Sequence, residues 1–257
     1  MSYTFNDITA YLLVFIRITG MIAMNPVFSR RNVPALVRSG WILALTAVLA
    51  PVVGQPYTGQ PGAVWLIITM FQELFIGFCC AMVFQFFYFI LFFAGDMIDT
   101  QMGLSMAKIF DPATNVQTSF SSSMITLLFM LYFFMTDSHL ILLRLFVSSF
   151  ELVPVGTAAL TGDIAVFFIT LFSSTFSLAL KLAMPFIAAE FVVEAAMGVL
   201  MKLIPQIHVF VINIQAKILL GIFMLYIFAQ PVSEFVDRYM QATMKAVQQA
   251  LLVLGAH

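Results

Sequence analysis

Charged residues are scarce in this chain of 257 amino acids. Asp, Glu, Lys and Arg together make up 9% of the sequence, whereas an ordinary soluble domain carries roughly 25%. Hydrophobic residues make up 62%, so too few polar groups remain to cover the surface of a free soluble monomer. The formal net charge of −1 gives no attractive field for nucleic acid. The composition therefore excludes a soluble monomer and predicts a membrane protein that does not bind nucleic acid.

Residues that commonly carry chemistry are also few. The three histidines are scattered along the chain, and the two cysteines, Cys79 and Cys80, are adjacent within an apolar run. Adjacent cysteines rarely form a disulfide, and no other ligand lies at a spacing typical of a metal site. The HExxH, GxSxG, Walker A and GxGxxG motifs are absent. The sequence therefore predicts a protein that is not an enzyme and that holds no metal or cofactor.

The N-terminal segment lacks basic residues. Its first sixteen residues carry a single charge, Asp7, whereas a secretory signal begins with positive charge and ends in a small-residue cleavage site. We therefore predict a retained helix over 8–24.

The apolar residues fall into six stretches, and together they predict an all-α, polytopic helical membrane protein. The uncharged run 74–95 would form a helix about 33 Å long, enough to cross a bilayer. Basic residues in two of the connections favour six crossings with both ends outside the cytoplasm. Several lengths are unusual, which predicts long, kinked helices and helical hairpins rather than simple spans. The six stretches are 8–24, 40–54, 63–95, 124–147, 164–199 and 207–230.

Charged residues lie inside several of these stretches, among them Arg17, Lys181, Glu190, Glu194 and Lys217. A charge at the centre of a bilayer costs roughly 2.5–3.5 kcal/mol or more, so these side chains are expected to face protein or water. They are candidates for buried polar contacts within the chain or for contacts between subunits, and the sequence leaves both alternatives open. A proline in the fifth stretch, at position 185, predicts a kink or a split in that helix.

A polar segment separates two of the apolar stretches. Nine of the thirteen residues in 111–123 are polar, and Asp111-Pro112 favours a turn. Such backbone is tolerated at bilayer depth only inside protein or beside water. The segment is therefore either a loop at the membrane surface or a re-entrant loop that lines or blocks an aqueous path.

The C-terminal segment, 233–257, differs from the rest of the chain. Apolar residues recur there at intervals of three and four residues, and four charged residues accompany them. This spacing predicts an amphipathic helix.

Four strings in order along the chain resemble the FliR/SctT family of type III secretion export-gate proteins, and its flagellar branch in particular. The first is FIRITGMIAMNPVFSRRNVPALVR at 15–38, and the second is IDTQMGLSMAKIFDP at 98–112. The third combines DSHL at 137–140 with SFELVPVG at 149–156. The fourth is KLIPQIHVFVINI at 202–214. Together they cover nearly the whole chain.

The resemblance implies a hetero-oligomeric, helical export gate in the bacterial inner membrane, within the flagellar basal body. It implies a FliP-like part at 1–160 and a FliQ-like helical hairpin at 161–232, followed by the C-terminal amphipathic helix at 233–257. The implied partners are FliP and FliQ within the complex, FlhB beside it, membrane lipid, and unfolded flagellar proteins as export substrates.

The resemblance also implies a plug inside the export channel, at about 106–120. The residues of this predicted plug are Met106, Ala107, Lys108, Ile109, Phe110, Asp111, Pro112, Ala113, Thr114, Asn115, Val116, Gln117, Thr118, Ser119 and Phe120.

A different class of function, a proton-coupled secondary transporter, is the alternative. Glu190, Glu194 and Lys181 would then form the coupling site. Transporters of this kind are usually built from two similar halves, and no repeat is evident between the halves of this chain. The export gate is therefore the favoured prediction.

Overall fold

The computed structural model of the chain describes residues 5–30, 33–53, 62–104, 119–157, 162–204 and 209–255. The described residues form eight α-helices and no β-strand, so the prediction of an all-α, polytopic fold is confirmed. In chain order the helices are α1 (Phe5–Ala23), α2 (Ala35–Val53), α3 (Ala63–Gln101), α4 (Phe120–Met135), α5 (Ser138–Leu152), α6 (Asp163–Leu203), α7 (Val209–Ile227) and α8 (Ala229–Gly255).

Two of the helices are much longer than a bilayer is thick. Helix α3 has 39 residues and α6 has 41, which correspond to about 58 and 61 Å, against about 30 Å of hydrocarbon. Pro185 does not split the helix as one alternative predicted, and α6 continues through it without interruption. A proline removes one backbone hydrogen bond, and a long helix keeps its remaining turns on both sides.

Three described helices, α2, α3 and α6, are long and apolar enough to cross a membrane. The number rises to four if α4 and α5 count as one bent span. The apolar parts of α1 and α7 are shorter than these helices. The two longest apolar stretches, 63–95 and 164–199, each lie within a single helix. Length and composition therefore support fewer crossings than the six predicted from the basic connections.

The helices are grouped into two compact units. Unit 1 comprises 1–87, 133–172 and 241–257, and unit 2 comprises 88–132 and 173–240. The units are defined by contacts between segments distant in the chain, not by sequence order. The division into FliP-like, FliQ-like and C-terminal parts concerns resemblance to other chains, and it stays a prediction.

In unit 1, α1 is fully buried along one face and packs on α2. The buried apolar residues of α1 recur at intervals of three to four residues, as a packed helix requires. They are Leu13, Val14, Ile18, Met21 and Ile22. Helix α1 also crosses α3 at a pair of glycines: a Cβ at Gly20 would lie 2.7 Å from the Leu74 carbonyl oxygen, and one at Gly77 would collide with the Arg17 carbonyl oxygen. The missing side chains let the two backbones touch.

Unit 2 contains the C-terminal third of α3, most of α4 and α6, all of α7, and the beginning of α8. Helix α3 meets α4 at Gly95, where an added Cβ would collide with the backbone of Ser121 and Ser122. Aromatic contacts add to this packing, because Phe93 lies 5.7 Å from Phe176 and Phe186 lies 5.5 Å from Phe228, between ring centroids.

Candidate functional site

The C-terminal end of α3, which precedes the predicted plug, is capped by backbone hydrogen bonds. Helix α3 ends at Gln101, and Gly103 adopts the left-handed conformation with φ of 74°. The backbone N–H of Leu104 donates to the carbonyl of Asp99 at 3.0 Å, and that of Gly103 donates to Thr100 at 3.2 Å. These two bonds form a Schellman motif, which satisfies carbonyls in the last turn of the helix and favours glycine at its left-handed position.

The segment that follows the predicted plug is fastened to α3 by side chains. The Asp99 carboxylate accepts the backbone N–H of Ser121 at 3.0 Å, and the Asp96 carboxylate accepts the hydroxyl of Ser119. The hydroxyl of Ser122 donates to the Phe92 carbonyl at 2.7 Å. All these groups are at least partly buried, so the start of α4 is held against α3 by hydrogen bonds shielded from solvent.

Most of the predicted plug lies outside the described residues. This applies to positions 106–118, and of the predicted set only Ser119 and Phe120 are described. Ser119 is buried and bonded to Asp96, whereas the Phe120 side chain is 57% exposed. The assignment of the plug stays a prediction, and the structure defines the two ends from which that segment emerges.

Arg17, the first of the predicted buried charges, forms an ion pair in unit 1. Its Nε lies 2.5 Å from the Oε2 of Glu73, and both side chains are 0% exposed. Its Nη1 donates to the carbonyls of Ser149 and Val153, each at 2.8 Å. The guanidinium also lies 4.4 Å from the centroid of the Phe150 ring, in cation–π geometry. One arginine therefore joins α1, α3 and the end of α5.

Glu73 is held from a second direction by a turn. The backbone N–H of Gly156 donates to its Oε1 at 2.8 Å, and Thr157 N–H closes the turn on the Pro154 carbonyl at 3.2 Å. Gly156 has φ of 81°, a conformation that glycine adopts without strain. Glu73 was not among the predicted buried charges, although it is the only charged residue in the stretch 63–95 and its sign suits a partner for Arg17.

The other four predicted charges lie in unit 2, on α6 and α7. Glu194 and Lys217 are brought together with 3.5 Å between Nζ and Oε2, and the Glu194 side chain is 59% exposed. Glu190 is buried, and neither of its carboxylate oxygens has a hydrogen-bond partner among the described residues. Lys181 is exposed and forms no ion pair with a described residue. The structure thus joins Glu194 and Lys217, whereas the Glu190 carboxylate accepts no hydrogen bond from the residues that the structure describes.

No cluster of three or more His, Cys, Asp or Glu side chains able to hold a metal ion occurs within the described part of the chain. The two adjacent cysteines are both buried as free thiols. The bonds of Arg17 with Glu73 and of Asp96 and Asp99 with the start of α4 join segments that are distant in the chain.

The chain matches a known protein family and resembles several of its members. The model for Bacterial export proteins, family 1, matches residues 8–243. The chain is 28% identical to the Flagellar biosynthetic protein FliR of Bacillus subtilis (strain 168) over 249 residues, 96% of each chain. It is 30% identical to that of Escherichia coli (strain K12) over 216 residues, 82% of this chain and 81% of the relative. It is 26% identical to the Yop proteins translocation protein T of Yersinia pestis over 248 residues, 95% of each.

Proposed function

The chain belongs to family 1 of the bacterial export proteins and is a subunit of a type III secretion export gate, and we propose that it supplies the plug of the gate's channel. The family membership rests on the match over 8–243, which includes all of unit 2 and most of unit 1. The proposed cargo is the set of unfolded flagellar proteins, because two of the relatives described above are named for flagellar biosynthesis. The proposed location is the bacterial inner membrane, in the flagellar basal body.

We further propose that the chain works without bond chemistry and within a hetero-oligomer of FliP and FliQ, with FlhB alongside. Support comes from the exposed apolar faces of α6 and α7, from the scarcity of polar residues, and from the Glu190 carboxylate, which lacks a hydrogen-bond partner among the described residues. A folded chain with this surface requires lipid or other subunits to cover it. The transporter alternative is not proposed, because the relatives described above are named for flagellar biosynthesis and for translocation of Yop proteins.

Purification of the tagged chain in mild detergent, with its neighbouring membrane proteins co-expressed, tests the assembly. Mass spectrometry of the intact complex should show this chain with several copies each of two smaller helical subunits. Recovery of the chain alone, or as a symmetric homo-oligomer, would contradict the proposed function.

Shortening the proposed plug should raise the leak of ions through the assembled complex. Deletion of residues 107–117 keeps Ser119 and its bond to Asp96, so the ends of the segment stay fastened. If the open state of the intact gate is populated at about 0.1–10%, permanent opening should raise ion flux roughly 10- to 1,000-fold. Ion flux into vesicles that contain the complex measures the effect. A chain in which the same residues are replaced by an equal number of Gly and Ser is the control for segment length.

The exposed charged residues of α6, Lys181 and Glu194, are proposed to contact other subunits, and the buried Glu190 lies one turn from Glu194 on the same face. Replacing both Glu190 and Glu194 with Leu should lower the yield of the complex roughly fivefold, as expected for about 1 kcal/mol of lost pairing. The ion flux per assembled complex should stay unchanged. Glu234→Leu changes an exposed glutamate of α8 and is the matched control, with an expected normal yield. Normal yield of the double variant together with altered proton flux would favour the transporter instead.

A further inference from the structure

A cavity of about 390 Å³ lies within unit 1, bordered by residues of α1, α2, α4 and α5. Its wall is almost entirely apolar and contains several aromatic rings. Phe28 and Trp41 meet edge to face with 5.3 Å between ring centroids, and the Phe134 ring lies 5.5 Å from that of His139. Ligand sites in proteins commonly have volumes of about 300–1,000 Å³. A cavity of this size with an apolar wall suits a hydrocarbon chain better than a cluster of water molecules.

The cavity opens on the surface of unit 1. Three of the residues that line it are also exposed, with exposed fractions of 42% for Trp41, 62% for Val48 and 57% for Phe134. Two of them belong to α2, which is long and apolar enough to cross a membrane. When α2 lies in a bilayer, an opening beside its apolar face is accessible to the acyl chains of lipids.

An arginine lies at one end of the cavity-lining face of α2. Arg38, Trp41, Leu45 and Val48 follow one another at intervals of three and four residues, so they share one face of the helix. The helix rises about 15 Å from Arg38 to Val48. Arg38 is in the first turn, and its Nη1 donates to the hydroxyl of Ser29 at 3.2 Å. Its Nε is buried and has no hydrogen-bond partner among the described residues. Arginine and tryptophan at the end of a spanning helix are typical of the level of the lipid headgroups.

Basic charge is concentrated at this end of α2. The sequence from 24 to 40 contains Arg30, Arg31 and Arg38 and no acidic residue, and the Arg30 side chain is exposed. A guanidinium binds a phosphate group with charge-assisted hydrogen bonds, and basic side chains beside a gap between membrane helices bind anionic headgroups. A neutral lipid or an apolar helix of another subunit would fill the cavity but would leave these positive charges without a counter-charge.

We propose that unit 1 binds one anionic phospholipid, with the phosphate on Arg38 and one acyl chain in the cavity. The inference goes beyond the proposed function, and it requires that the chain lie in a membrane but not that it supply a plug. His139 adds a polar contact, because its Nδ1 is buried without a hydrogen-bond partner among the described residues. As an N–H group, Nδ1 would donate to an ester carbonyl, which in a phospholipid lies between the phosphate and the acyl chain.

Photolabelling of the assembled complex tests the site. The complex, purified in mild detergent, is incubated with phosphatidylglycerol that carries a photoreactive diazirine in one acyl chain, and mass spectrometry identifies the labelled residues. The label should be concentrated on residues of the cavity wall, such as Ala44 and Leu143. An excess of unlabelled phosphatidylglycerol should remove it more effectively than phosphatidylcholine does. Equal labelling of Leu36 and Leu43, which are exposed on α2, would indicate ordinary bilayer contact and overturn the proposal. Absence of label from the cavity, as when another subunit covers it, would also overturn it.

Arg38→Gln should lower the apparent affinity for phosphatidylglycerol about fivefold, the factor expected for one basic group at an anionic headgroup. Labelling by a phosphatidylcholine probe should stay unchanged, because the acyl chain still fits the cavity. Arg38→Lys keeps the positive charge and should retain most of the preference for the anionic lipid. Arg238→Gln removes the same charge from an exposed arginine of α8 that does not line the cavity, and it is the matched control. An Arg38→Gln complex with the preference of the wild type would show that Arg38 does not bind the headgroup.

Leu45→Trp tests the acyl-chain site, because the larger side chain occupies the cavity. It should lower cavity labelling by both lipids roughly tenfold, as expected for the lost burial of apolar surface. Leu43→Trp makes the same change at a residue that is 60% exposed and does not line the cavity, and its labelling should be normal. If the Leu45→Trp chain does not assemble, the position of the label in the wild type and the Arg38→Gln result decide the question. A leaky complex after deletion of 107–117 together with no label in the cavity would leave the plug standing and this inference wrong.

Discussion

Glu73→Ala is expected to destabilise the chain by about 3–5 kcal/mol, the cost of removing one partner of a buried ion pair. Arg17 would then keep its charge at 0% exposure, with bonds only to the carbonyls of Ser149 and Val153 among its described polar contacts. The Gly156 N–H would also lose its acceptor. The loss is large because it leaves a charge unpaired in the interior, where water cannot solvate it.

The free energy of unfolding, measured by chemical denaturation in detergent micelles, checks this expectation. Glu151→Ala, a change of an exposed glutamate in the same unit, is the matched control and should cost less than about 0.5 kcal/mol. Replacing both Arg17 and Glu73 with Met should recover much of the loss, because no unpaired charge remains. Equal destabilisation by the Glu73 and Glu151 variants would show that the ion pair contributes nothing.

Gly77→Ala is expected to have the second largest effect, about 3 kcal/mol, at the upper end for an overpacked helix contact. The added Cβ would collide with the Arg17 carbonyl and lie 2.9 Å from the Met21 nitrogen and 3.0 Å from the Gly20 Cα. All three are backbone atoms, so no rotation of a side chain can make room. Helix α1 would have to move away from α3, and this movement would also lengthen the bond from Arg17 to Glu73.

The control for this variant is Gly40→Ala in α2, where a Cβ would meet nothing within 4 Å. That change should be neutral or stabilise the chain by up to about 1 kcal/mol, because alanine favours a helix more than glycine does. The same denaturation measurement applies to both variants. A Gly77→Ala variant as stable as the Gly40→Ala variant would mean that α1 and α3 do not touch at this point.

The sequence predicted well the features that depend on local composition. Long apolar runs with few charges cannot form a soluble domain, and a membrane-spanning backbone must satisfy its own hydrogen bonds, so an all-α fold follows. The strings that resemble the FliR/SctT family predicted the family that the comparisons confirm. The boundaries of the apolar stretches also lie near those of several helices, because turn-forming and apolar residues act over a few positions.

The number of crossings and the effect of Pro185 depended on more than local composition. Whether an apolar stretch of 36 residues becomes two spans or one long helix is decided by what packs along its length. The same is true of the short apolar helices at Ile8–Ala23 and Val211–Ile227, which a hydropathy pattern cannot distinguish from full spans.

Tertiary structure alone decided which residues are partners. Arg17 was recognisable in the sequence as a charge in need of a partner, but Glu73 lies 56 residues away and Ser149 lies 132 residues away. Asp99 gave no signal that its carboxylate would hold Ser121, and Gly20, Gly77 and Gly95 gave none that two backbones would touch there. Composition and periodicity describe a residue and its neighbours in the chain, whereas a buried hydrogen bond or a glycine contact is fixed only when distant helices pack.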